Sequence, residues 1–243
     1  MRYRVGGAVL LLLAGVALLT FVVRGHLSEH ASHQHEGKRE GPEDKPERTA
    51  GGQTKMTPEQ KNSLLRLARQ TIEEVVTTGR MPEVDASNLS SPLTDAAGCF
   101  VTLQKEGQLR GCIGHIFPQE PLYRAVRDNA RSAALEDPRF RPVQPEELAS
   151  VEIEISVLTV PQALPFDSPE DLLGKLRPHV DGVVLKIGQR HATFLPQVWE
   201  QLPDKEDFLS RLAVKAGFPP SAWKGPGVSV LTYQVEAFKE SEM

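Results

Sequence analysis

The sequence predicts an α+β fold, a mostly antiparallel sheet with flanking helices, preceded by an N-terminal membrane helix. Three observations predict it. Val151, Ile153, Ile155 and Val157 alternate with Glu152, Glu154 and Ser156, the period of a half-buried strand. Cys99 to Leu103 and Leu109 to His115 are runs of β-formers separated by Lys105-Glu106-Gly107-Gln108, the pattern of a hairpin. Helical stretches then punctuate the strands without regular βαβ units, and Val5 to Val23 is apolar or small except for Thr20.

Taken in order, residues 1–23 are the membrane-anchor region, in which Val5 to Val23 is long enough as a helix to cross ~30 Å of hydrocarbon. Arg2 and Arg4 precede it and bulky residues close it where a peptidase needs small ones, so it reads as an uncleaved signal anchor, cleavage being the alternative. The flanking charge places the domain outside the cytoplasm. Residues 24–55 carry almost no large apolar side chain and read as a disordered tether. Within it His26, His30, His33 and His35 are either metal-capturing imidazoles or solubilising residues of a linker.

The domain spans 56–243. Thr57-Pro58-Glu59-Gln60 is a capping box with proline at the first helical position, and the helix it opens ends at Gly79. The hairpin follows, then a helix from Pro121 to Leu135. Ser168 caps a short helix, Asp181 to Ile187 and Arg190 to Leu195 form a hairpin turned by Gly188, and a helix runs through Val198 and Trp199. Asp207 to Ala216 is helical up to Gly217, and Val228 to Phe238 alternates as one final strand.

Forty per cent hydrophobic and 25% charged residues suit one globular domain, and a net charge of -4 disfavours a nucleic-acid partner. The two cysteines, Cys99 and Cys112, form no CxxC pair, so no zinc site is predicted. No phosphate loop, dinucleotide fingerprint, HExxH or GxSxG occurs.

Chemistry concentrates in Leu109-Arg110-Gly111-Cys112-Ile113-Gly114-His115. A two-residue turn at Glu106-Gly107 pairs Val101 with Cys112 and sets Cys99 one diagonal away; a four-residue loop sets the two cysteines opposite each other. Either way both thiols share a face, close enough for a cross-strand disulfide, and Arg110 lies on the face of Cys112 while Ile113 points into the core. Cys112 is then a nucleophile made acidic by Arg110, or a small buried hydrophobe. Arg110 is an anion clamp or the partner of Glu152 or Glu154. Glu152 and Glu154, about 7 Å apart along one face, are an acid/base pair, metal ligands, or the solvated side of a sheet. Gly111 and Gly114 expose backbone N–H groups to an anion or carbonyl oxygen. His115 is a weak candidate for a Cys–His dyad.

The run resembles the LRGCIG signature of the AMMECR domain family, known in bacteria and archaea as AmmeMemoRadiSam system protein A. The resemblance extends through Asp137-Pro138-Arg139-Phe140, Val151 to Leu158 and Thr193 to Trp199, and covers Met56 to Phe238. It implies a larger lobe holding both ends of the domain and a smaller lobe built from its middle. Asn129, Asp137 and Arg139 would line the same cleft as the signature. The implied function is an enzyme or enzyme component acting on a small polar or anionic substrate, with Cys112, Glu152 and Glu154 catalytic and Arg110, Gly111, Gly114, Asn129, Asp137 and Arg139 binding. A non-catalytic adaptor for Memo-like and radical SAM proteins is the alternative. Neither reading names a cofactor or a metal.

Overall fold

The computed structural model describes residues 55–243. The first helix, α1 (Pro58–Thr78), begins as the capping box requires: Thr57 Oγ1 accepts from the Gln60 N–H, and Gln60 Oε1 accepts from the Thr57 N–H. It stops at Gly79, whose left-handed φ of 72° lets its N–H return to Val75.

β1 (Gly98–Lys105) and β2 (Gln108–His115) are joined by a two-residue turn in which Glu106 and Gly107 both have positive φ, as the twist of a tight hairpin demands. After α2 (Leu122–Leu135) a 3₁₀ turn, Pro145–Ser150, leads into β3 (Val151–Leu158). The middle of the domain supplies β4 (Gln162–Ala163), α3 (Pro169–Lys175), β5 (Gly182–Ile187), β6 (Arg190–Phe194) and α4 (Lys205–Lys215). The expected helix through Val198 and Trp199 is a 3₁₀ turn, Pro196–Glu200.

The single final strand expected from Val228 to Phe238 is corrected. It is two strands, β7 (Val228–Tyr233) and β8 (Val235–Lys239), which belong to different sheets. Gln234 is the crossing point: its N–H donates to Thr159 Oγ1 and its carbonyl accepts from the Thr159 N–H, both at 2.9 Å. Alternation is unchanged through such a crossing, so periodicity alone does not reveal it.

Two four-stranded antiparallel sheets result, one in the order β2-β1-β3-β8 and one in the order β4-β7-β5-β6. The first takes β1, β2, β3 and the last strand, β8, and the second takes the strands between β3 and β8. Three apolar layers hold them. Val101, Leu103, Ile153 and Ile155 face Leu64, Ile72, Val126 and Ala130 of α1 and α2. Val183, Leu185 and Phe194 face Phe208, Leu209 and Leu212 of α4, where Trp199 stacks on Phe208 with ring centroids 3.6 Å apart. Between the sheets lie Phe100, Cys112, Ile116, Leu158, Val184 and Tyr233. A sheet with apolar neighbours on both faces leaves little of either face for solvent.

The fold class is also corrected at its N-terminal end. No helix among the described residues is long and apolar enough to cross a membrane. The apolar run at 1–23 and the tether at 24–54, with its histidines, lie outside the described residues. The membrane helix, the signal anchor and the membrane location with an outward-facing domain are therefore not retained.

Candidate functional site at the sheet junction

The register of the hairpin decides the site. Lys105 pairs with Gln108 and Gln104 with Leu109, but Leu103 pairs with Gly111, so Arg110 is an extra residue bulged out of β2. The shift moves every later residue by one position. Cys112 stands opposite Thr102, not Val101, and Cys99 stands opposite His115. Because side chains alternate, the two thiols point to opposite faces: Cys99 into the helix-side core and Cys112 into the core between the sheets. The expected shared face and the cross-strand disulfide are both corrected, and both cysteines are free.

Cys112 is 1% exposed. Its Sγ lies 3.1 Å from Thr102 Oγ1. Burial pushes its thiol up to about 11, against the opposing influence of the Thr102 hydroxyl and Arg139. Its backbone is gripped from the loop after α2: Asp137 Oδ2 accepts from the Cys112 N–H at 2.9 Å, and Arg139 Nη2 donates to the Cys112 carbonyl at 3.2 Å. Arg139 in turn forks onto Asp137, at 2.9 Å from Nε and 2.6 Å from Nη2. Burial works to raise the Asp137 pKa, but the bonds from Arg139 and from the Cys112 N–H outweigh it and hold the carboxyl below its ordinary value.

Arg110 does not meet Glu152 or Glu154, nor does it lie beside the Cys112 thiol. Its Nε and Nη2 take both oxygens of Glu147, at 3.1 and 2.9 Å, and its guanidinium lies 6.0 Å from the centre of the Phe140 ring. Lys105 donates to the same carboxylate at 3.2 Å. The Arg110 bond, the largest of these influences, holds Glu147 down at about 2. Arg110 Nη1 is buried without a hydrogen-bond partner. Arg139 lies over the same Phe140 ring at 5.5 Å, so both guanidinium groups approach one aromatic ring.

The glycines of the signature serve close packing. A Cβ on Gly111 would run into the Ala133 carbonyl of α2, and one on Gly114 into the Cys99 carbonyl and the Phe100 ring. The expected exposure of their N–H groups to a ligand gives way to contact with neighbouring chain. Asn129 is separated from the Cys112 thiol as well, donating to the Cys99 carbonyl at 3.2 Å on the helix side. Arg131 pairs with Glu136 at the surface.

Glu152 and Glu154 share a face, as the alternation predicts, and Glu154 stands opposite Thr102. Cys112, Thr102, Glu154 and Lys239 therefore form one row across the first sheet. Burial raises the Glu154 pKa, with Lys239 opposing and Glu242 and Glu152 reinforcing. No group of three or more metal-binding side chains occurs among the described residues.

Sequence reasoning missed Glu147, Thr102 and Lys215. Glu147 was signalled only by its place three residues after Gln144, whose N–H it accepts as part of a capping box. Lys215, the last residue of α4, donates to the Thr193 carbonyl at 3.0 Å and lies 5.0 Å from the centre of the Phe194 ring. A cavity of about 100 Å³ exists away from the signature, beside the start of α1, lined by Met56, Ala97, Leu122, Val157 and Val235 among others.

Comparison with known proteins agrees with this architecture. An uncharacterized protein PH0010 from Pyrococcus horikoshii, solved as a crystal structure, superposes with a TM-score of 0.67 at 36% identity, covering 73% of this chain and 90% of that one. A protein of Methanothermobacter thermautotrophicus is 40% identical over 182 residues, 73% of this chain and 93% of its own length. One from Methanosarcina mazei is 39% identical over 190 residues, 77% of this chain and 94% of its own. The family model AMMECR1 matches residues 65–238, nearly the whole described domain, and the chain belongs to the AMMECR1 family.

Proposed function

We propose that this domain is a binding module of the AmmeMemoRadiSam system, docking a Memo-like or radical SAM protein, and that thiol chemistry at Cys112 is not its activity. The observation that carries this reading is the state of Cys112: 1% exposed, packed between two sheets and pushed up to about 11. A nucleophilic thiol needs the opposite, an open and electropositive setting that favours thiolate. The remaining signature residues support the same reading. Arg110 is committed to Glu147, and the glycines to close contact with α2 and β1.

The test is co-purification of the full chain with a Memo-like and a radical SAM protein, comparing the unaltered chain with Cys112→Ala. Equal capture by both is expected. Loss of function in Cys112→Ala with an unchanged melting temperature, together with alkylation of native Cys112, would return the thiol to a chemical role.

A second reading is favoured by Glu154. It is half-buried, carries a raised pKa and lies across Thr102 from Cys112, which suits an acid/base group acting on a small polar or anionic substrate. Glu154→Gln would then abolish turnover of such a substrate while leaving partner capture intact.

A further inference from the structure

Among the described residues the chain passes between the two sheets twice, at Thr159 on the way from β3 to β4 and at Gln234 between β7 and β8. The two crossings are bonded to each other, the Gln234 N–H to Thr159 Oγ1 and the Thr159 N–H to the Gln234 carbonyl. The cavity of about 100 Å³ beside the start of α1 has both of them in its wall. The rest of the wall comes from separate parts of the first sheet and its helices: Met56 ahead of α1, the segment from Pro92 to Ala97, Leu122 of α2, and Val157 and Val235 of the paired strands β3 and β8.

Met56, Ala97, Leu122 and Val157 are all buried, so the floor of the cavity is apolar. Its charge is one-sided: Asp95 and Glu236 line it, and no Lys or Arg does. Lys61 pairs with Glu236 through Oε1 at 2.6 Å, whereas Asp95 accepts from the Ser91 hydroxyl at 2.6 Å and has no ion pair among the described residues. The segment that carries Asp95 is fixed through main chain. The Asp95 carbonyl accepts from the Leu122 N–H at 2.9 Å, the Leu93 carbonyl from the Tyr123 N–H at 3.1 Å, and the Ser91 carbonyl from the Gln60 amide at 3.1 Å. A wall held in this way needs little ordering when a ligand arrives. An anion would meet two carboxylates, and a plain hydrocarbon would leave them unused. An ammonium group on a short apolar body satisfies both the floor and the charge. An apolar cavity of about 150 Å³ holds benzene, so this one has room for about four carbons.

We propose that the cavity beside the Thr159–Gln234 crossing binds a small aliphatic ammonium ion, its apolar body against Met56, Leu122 and Val157 and its charged head on the Asp95 and Glu236 side. The site goes beyond the docking function and stands without it, because it uses neither a residue of the signature nor a partner protein. A ligand held there also touches both connections between the sheets.

The experiment is NMR of the full chain labelled with ¹³C at the methionine methyls, titrated with n-butylammonium chloride, n-butanol and sodium butyrate against sodium chloride at matched ionic strength. Met56 lines the cavity, whereas Met81 and Met243 do not, so the chain carries its own reporter and controls. Butylammonium should shift the Met56 methyl saturably and leave those of Met81 and Met243 in place. Butanol, which keeps the apolar body without the charge, should bind about tenfold more weakly or worse, and butyrate should not bind. Asp95→Asn should weaken butylammonium binding about tenfold, the value of a charge-assisted bond, with Glu236→Gln as the second variant should the first fail to fold. A Met56 methyl unmoved by butylammonium, or moved alike by butanol, butyrate or sodium chloride, overturns the proposal. So does undiminished affinity in a folded Asp95→Asn or, in its place, a folded Glu236→Gln variant. Because partner capture is measured separately, failure of this site leaves the docking reading intact, and the converse also holds.

Discussion

The carboxylate of Asp137 holds the backbone N–H of Cys112 at 2.9 Å, so the loop after α2 is fastened to the edge strand of the first sheet through main chain. That bond explains why Asp137 belongs near the signature without reaching the thiol. Asp137 is nearly fully buried, and its removal strands both a buried N–H and the Arg139 guanidinium. Asp137→Ala is expected to cost about 2–4 kcal/mol of stability, measured by urea unfolding. A cost under about 0.5 kcal/mol, the range of ordinary surface changes, would show that the loop is held by other contacts.

Acid should loosen the same region through Glu147 and Asp137. Both folded-state pKa values are depressed, so their stabilising contribution is complete above the unfolded values and is lost as pH falls through the folded ones. For Glu147 that window runs from about 4.5 down to about 2. Glu147→Gln should therefore flatten the fall of melting temperature across this range, while lowering stability near neutrality by about 1–2 kcal/mol. An unchanged acid profile would mean that the Arg110 pair contributes little in solution.

The two half-buried histidines act with the same sign at higher pH. Burial lowers the pKa of both His115 and His191, with Lys186 adding to the effect at His191, and each Nε2 is buried without a partner. The folded state favours neutral imidazole, so stability is full above the unfolded value near 6.5 and declines below it. A variant carrying His115→Gln and His191→Gln should lose less melting temperature than the unaltered chain between about pH 7 and 5. Parallel profiles would place the acid sensitivity elsewhere.

Thiol reactivity separates packing from chemistry directly. In the native protein at pH 8, neither Cys99 nor Cys112 should react with iodoacetamide, since burial pushes them up to about 12 and about 11. After unfolding without reductant, mass spectrometry should find both labelled, because they face opposite sides of the sheet. A disulfide-linked pair in that experiment would require a different hairpin register.

Glycines can be sorted by what surrounds them. Gly111→Ala forces a methyl against the Ala133 carbonyl and should destabilise by about 2–4 kcal/mol in thermal unfolding. Gly174, inside α3 with open space at its Cβ, should instead gain about 0.5–1 kcal/mol on conversion to Ala. If both changes were neutral, the approach of α2 to β2 would not be tight in solution.

Local signals along the chain determined most of the elements. The capping box at Thr57, the left-handed stops at Gly79 and Gly217, the Glu106-Gly107 turn and the alternation of Val151 to Leu158 depend on neighbouring residues, so their physics is written in order along the chain. The family was legible from Leu109 to Gly114, where Gly111 and Gly114 have no room for a Cβ and Arg110 is held by Glu147. Tertiary structure decided everything that depended on register or on distant partners. One bulge at Arg110 sent Cys99 and Cys112 to opposite cores, because a shift of one position inverts every later side chain. Glu147 met Arg110 across 37 positions, and Lys215 met the Thr193 carbonyl across 22. The crossing at Gln234, invisible to periodicity, is what divides the final run between the two sheets.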